Sequence, residues 1–143
     1  MTCVNRVYQK STQEAYNNAV QPYIAAGTQI AILGSRPDNT GCSIDTDASG
    51  FTVLNSGIYR FAYDVTSTPA DAGEQVMQLY LDGIPLPQAI TTDTTVADAI
   101  LTQHVETVME LRTCCAVNHA ITAQISGVAG NINHVQASAV KLA

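Results

Sequence analysis

The residues most able to do chemistry are few and scattered. Asp45-Thr46-Asp47-Ala48-Ser49-Gly50 sets oxygen ligands at the first, third and fifth positions of a loop with glycine sixth, the opening of an EF-hand calcium loop. Asp45, Asp47 and Ser49 are weak metal candidates, because the twelfth position, where a bidentate glutamate belongs, is Ser56, and the flanks read as strands. The competing reading is a polar β-turn whose side chains bond local amides. The histidines are His104, His119 and His134, none with a partner at ligand spacing. His119 lies on an apolar strand face and reads as a satisfied core or interface histidine. Only if that face lined a threefold axis could three copies ring a metal or an anion. No G-x-S-x-G, P-loop or G-x-G-x-x-G occurs, and nothing places Cys114 or Cys115 beside His119 as a thiol nucleophile. The 12 acids form no recognised pair. No catalytic residue and no cofactor is assigned, and the chain reads as a non-enzyme.

Composition bounds the elements that would hold any site. At 143 residues the chain is one domain, long enough to bury a core without staples. The net charge of −6 and six singly scattered cations argue against nucleic acid, since phosphate contacts need clustered lysine or arginine. Charged residues make up 13% of the chain, about half the usual share of a soluble domain, so part of the surface is expected to be covered by other subunits. Two stretches, 15–35 and 113–140, carry no formal charge. Their asparagines, glutamines and histidines would each cost several kcal/mol unpaired in hydrocarbon, so no membrane insertion is expected. The opening Met1-Thr2-Cys3-Val4-Asn5-Arg6 has no signal-peptide run, which implies synthesis in the cytoplasm. Cys3, Cys42, Cys114 and Cys115 form no C-x-x-C. Buried free thiols are the expectation, with a Cys3 bridge as the alternative and the redox state open.

Hydrophobic periodicity reads as short strands from about Gly27 onward. In Ile58–Val65, Tyr59, Phe61, Tyr63 and Val65 share one face, and Arg60 and Asp64 the other. Gln75–Leu81 alternates again, and Asp82-Gly83 between two apolar runs is a tight-hairpin signal. Pro85 and Pro87 confine Ile84–Ile90 to an edge. Val117, His119, Ile121, Ala123 and Ile125 alternate onto one face, and Ile132–Leu142 closes the chain. Thr95–Arg112 fits helix and strand periods alike; its valines, its threonines and the β surroundings favour two strands. The capping box Ser11-Thr12-Gln13-Glu14, with Ala15, Tyr16, Ala19, Val20 and Tyr23 on one face, predicts a short helix stopped by Pro22.

Three segments resemble motifs of the C1q/TNF-like jelly-roll domain, in its bacterial and phage branch. They are Ser56-Gly57-Ile58-Tyr59-Arg60-Phe61-Ala62-Tyr63-Asp64-Val65, then Leu79-Tyr80-Leu81-Asp82-Gly83-Ile84-Pro85-Leu86-Pro87, then Val135-Gln136-Ala137-Ser138-Ala139-Val140-Lys141-Leu142. The last has Gln136 where asparagine is usual. The resemblance spans about residues 27–143 and implies an all-β antiparallel jelly-roll sandwich that forms homotrimers, one sheet of each subunit facing the threefold axis. Residues 1–26 are then an N-terminal anchoring arm and 27–143 the head domain. Val117, His119, Ile121, Ala123 and Ile125 become the trimer-interface candidates. The loops Ser35–Gly41, Thr66–Gly73 and Thr91–Asp98 would face solvent. Members similar to exosporium glycoproteins and phage particle proteins imply two roles. One is a decoration or head-fibre subunit on a tailed-phage virion, held to a capsid or other shell protein by the arm. The alternative is a spore- or cell-surface trimer that adheres to glycan or host protein.

Overall fold

A computed structural model describes residues 11–32, 42–113 and 118–143. Among them the chain is all strand: β1 Thr12–Asn17, β2 Gln21–Tyr23, β3 Thr28–Gln29, β4 Ile44–Asp47, β5 Gly50–Val53, β6 Gly57–Pro69, β7 Gly73–Leu81, β8 Ile84–Thr95, β9 Leu101–Leu111, β10 His119–Ser126 and β11 Gly130–Lys141. The first sheet runs β1-β11-β6-β9, with β2 also on β11; the second runs β4-β5-β10-β7-β8, with β3 also on β10. All pairs are antiparallel. The chain crosses between sheets at β2–β3, β5–β6, β6–β7, β8–β9, β9–β10 and β10–β11, which makes a jelly-roll sandwich.

Period-two alternation is what builds the core. Tyr59, Phe61, Tyr63 and Val65 all point inward from β6 and are fully buried, while Arg60 and Asp64 face out. Phe51 of β5 closes onto them from the other sheet, 6.3 Å from Phe61 and 6.1 Å edge-on to Tyr63, which adds to simple area burial. The Asp82-Gly83 hairpin forms as read: both residues have positive φ (51° and 81°) and Leu81 pairs with Ile84, the geometry of a two-residue turn matched to strand twist. β8 is the edge strand its prolines require, and 101–111 is strand.

Three expectations are corrected. Residues 12–23 are strands, not a helix: β1 pairs with β11 from Thr12↔Val140 to Asn17↔Val135, so tertiary pairing overrides the capping signal. The described part of the supposed arm is therefore sheet, in line with the head. Thr66–Pro69 and Thr91–Thr95 belong to β6 and β8, and the loops there shrink to 70–72 and 96–100. Ser35–Gly41 lies outside the described residues. Cys42 is disulfide-bonded, not a free thiol; Cys3, Cys114 and Cys115 lie outside the described residues.

The Tyr63 hydroxyl is buried without a hydrogen-bond partner, and burial first, then the charge of Asp47, pushes its pKa up. An unpaired buried hydroxyl costs stability. Tyr63→Phe is therefore expected to leave stability unchanged or raise it by up to about 1 kcal/mol in a urea titration. A loss of more than about 1 kcal/mol would show that the hydroxyl has a partner after all.

Candidate interaction surfaces

The face expected to meet other subunits is spent inside one chain. Ile121, Ala123 and Ile125 are fully buried in the core against the first sheet, so nothing of them remains for a partner to cover. This corrects their assignment to a trimer interface; Val117 lies outside the described residues. The reason is the antiparallel sandwich itself: the apolar face of a strand fills its own core before it can serve an interface.

His119 is the first residue of β10 and stays partly exposed. Its Nδ1 lies 2.7 Å from Asp82 Oδ2 and its Nε2 lies 2.7 Å from the Arg112 carbonyl. A carbonyl and a carboxylate can only accept, so the site favours the protonated ring, which donates from both nitrogens. Asp82 also accepts from the Ala120 amide at 2.8 Å and donates its own amide to the Ala120 carbonyl at 2.8 Å. The bond to Asp82, then that to Arg112, raise the His119 pKa above 6.5. For Asp82 partial burial pushes upward, but the Ala120 amide and His119 together hold its carboxyl below 3.8.

These shifts set a pH window. A raised histidine stabilises the fold fully below its unfolded pKa and loses that contribution as pH climbs through its folded pKa; a depressed aspartate contributes above its unfolded pKa and loses it as pH falls. The clasp is therefore strongest between about pH 4 and 6.5. The denaturation midpoint is expected to fall from about pH 6 to 8, and His119→Gln to flatten that fall. Equal slopes in the two proteins would remove the clasp from the account.

The EF-hand-like stretch is a hairpin turn between β4 and β5. Asp47 Oδ1 accepts from the Ser49 amide at 2.8 Å, the Ser49 hydroxyl and the Gly50 amide at 3.2 Å, and these bonds, the Ser49 hydroxyl first, hold its pKa down. This is the polar-turn reading, with the carboxylate occupied by local donors. Asp45 is exposed on β4. Among the described residues no three His, Cys, Asp or Glu side chains converge as a metal site requires. No helix among them is long and apolar enough to cross a membrane.

The two outer faces differ. On the second sheet, Thr52, Ala120, Thr122, Gln124, Gln78 and Tyr80 form an uncharged field. On the first sheet, Val140, Arg60 and Val108 form one row across three strands, with Leu142 and Ile58 beside them. Ile58, Val108 and Leu142 are exposed to 40%, 55% and 47%, large apolar side chains clustered on adjacent strands. On this face Arg60 pairs with Glu106 at 3.2 Å, Arg112 with Glu110 at 3.3 Å across from Ile58, and His104 hydrogen-bonds Asp64 at 2.7 Å.

The two ends differ as well. Ser11 and Ala143 lie at one end, where the Lys141 amide donates to the Ser11 carbonyl and the Ile58 amide to the Ala143 carbonyl. At the opposite end four connections are bonded into a rim: the Asp98 amide to Pro69 O (2.8 Å), Ala70 to Ala129 O (2.9 Å) and Gly127 to Ala25 O (2.9 Å). Gly127 has φ +100°, and a Cβ there would meet the Glu74 carbonyl oxygen at 2.1 Å, so only glycine lets this turn approach β7.

No protein-family model matches the chain, and no curated protein matches its sequence. Solved structures do match its fold. PRD1 vertex protein P5 superposes with a TM-score of 0.69 at 9% identity, over 93% of this chain and 73% of that one. A crystal structure of murine APRIL at pH 5.0 gives 0.63 at 14% identity, over 93% and 99%. The globular domain of zebrafish complement 1qA protein gives 0.59 at 13% identity, over 92% and 96%. The chain thus has the C1q/TNF-like jelly-roll fold that its motifs resembled.

Proposed function

We propose that the chain is a non-enzymatic structural subunit that assembles as a homotrimer and decorates the surface of a tailed-phage particle. The observation that carries the assembly is the apolar cluster of Ile58, Val108 and Leu142 on the outer face of the first sheet. Large exposed apolar side chains on adjacent strands mark an interaction site, and the Arg60–Glu106 and Arg112–Glu110 pairs beside them keep their charges compensated. A second copy of the same chain is the occupant. The low overall charge and the resemblance to phage particle domains agree with it. The likeness of fold to a vertex protein supports the particle role by analogy alone. The shell-binding role expected of residues 1–26 is proposed for the chain ahead of β1, which starts at the end of the sandwich opposite the loop rim, and the rim would then face outward.

Light scattering on the purified protein tests the assembly, with three times the chain mass expected at micromolar concentration; a stable monomer would end this reading. Mass spectrometry of purified virions tests the location. The second reading, a spore- or cell-surface trimer adhering to glycan or host protein, is favoured by the apolar residues of the rim. Binding to a glycan array, together with absence from virions, would select it.

A further inference from the structure

We propose that the loop rim opposite the chain ends docks a protein segment that carries lysine or arginine among apolar side chains. The rim combines three independent features. Ile24, Val96 and Ile100 are 61%, 67% and 75% exposed there, which a chain this poor in surface charge gains nothing from wetting. The acids Asp71, Glu74 and Asp98 stand among them, all exposed. The three described cations lie toward the other end: Arg60 near the start of β6, Arg112 just after β9 and Lys141 at the end of β11. The rim is therefore acidic and apolar with no described counter-charge of its own, and its charge complement is a basic, partly apolar surface.

The rim is also preformed. Besides the three backbone bonds that link its connections, the Thr95 hydroxyl donates to the Asp71 carbonyl at 2.8 Å. A partner would bind a surface already ordered, and little conformational entropy would be lost. The sign of the charge selects among ligand classes. Nucleic acid and anionic lipid would be repelled. No aromatic side chain is exposed on these connections for a sugar to stack on; Tyr23, the nearest in sequence, is buried. A polypeptide remains, with the apolar ends of the rim, Ile24 on one side and Val96 and Ile100 on the other, spacing its apolar contacts. This inference rests on the rim being the outward end of a non-enzymatic subunit, but it does not require the trimer.

The test uses the full chain and a fluorescent synthetic peptide of repeated Lys-Leu-Gly-Ser units. Peptides with Glu in place of Lys, or Ser in place of Leu, serve as controls. Fluorescence anisotropy is expected to show binding of the Lys-Leu peptide alone, and hydrogen exchange to show protection confined to residues 24–27, 70–74 and 96–100. The double variant Val96→Ser, Ile100→Ser is expected to weaken binding by about tenfold or more. Asp71→Asn with Asp98→Asn is expected to weaken it roughly two- to fivefold; asparagine tolerates the φ of +61° at position 98, so the loop is kept. No binding, equal binding of the Lys-Ser peptide, a footprint elsewhere or unaltered affinity in both variants would each overturn the proposal. Light scattering on the same samples reads the assembly separately: a monomer that binds at the rim keeps this inference and removes the trimer.

Discussion

Val108→Asp is expected to convert the assembled protein into monomers at micromolar concentration while leaving the fold of each subunit intact. Val108 is 55% exposed in the single chain, on β9 at the edge of the first sheet. A surface substitution there costs the monomer under about 1 kcal/mol, because the new carboxylate stays in water and Arg60 is already held by Glu106. In a trimer sealed through this face the same carboxylate is buried three times. Desolvating an unpaired ion costs several kcal/mol each time, more than a standard interface can absorb. Light scattering reads the mass and circular dichroism reads the sheet. A trimer that survives the substitution with unchanged affinity would place the interface on another face, and Thr52 and Thr122 in the uncharged field of the second sheet would be the next positions to charge.

The second large effect is internal. Gln75 is fully buried on β7 and joins both sheets beneath the rim. Its Oε1 accepts from the Tyr23 hydroxyl at 2.5 Å, and its Nε2 donates to Ser67 Oγ at 2.9 Å and to Gln103 Oε1 at 2.8 Å. Gln103 in turn donates to the Gln75 carbonyl at 3.1 Å and to Asp93 at 2.9 Å. Five strands, β2, β6, β7, β8 and β9, meet in this network. Gln75→Leu keeps the volume but leaves Gln103 Oε1 without its donor and takes one partner each from Tyr23 and Ser67, which keep each other, so a loss of about 3 kcal/mol is expected in a denaturant titration. Such a loss is a large part of a typical domain's stability. A loss under about 1 kcal/mol would mean that water replaces the amide and that the network does not hold the sheets in register.

How much of this was legible follows from the range of each interaction. The strand at 57–69 and the Asp82-Gly83 turn were readable because alternation and positive φ are properties of neighbouring residues. The capping box at Ser11 misled for the same reason. It is a local signal, and its weak preference for helix lost to six registered pairs with β11, a strand more than a hundred residues away. Gln75 and Gln103 gave no sign of burial, since a glutamine in an alternating strand reads as polar surface until its partners are known.

The candidate surfaces divide in the same way. The sequence by itself determined that the protein is a charge-poor, all-β domain with the motif order of a jelly roll, because hydrophobic period, turn chemistry and composition are written residue by residue. Only the tertiary structure decided that Ile121, Ala123 and Ile125 belong to the core and that Ile58, Val108 and Leu142 are left outside. It also gathered Ile24, Asp71, Val96, Asp98 and Ile100 on one rim. Alternation assigns residues to two faces, but which face meets the opposite sheet is set by long-range pairing that no local pattern encodes.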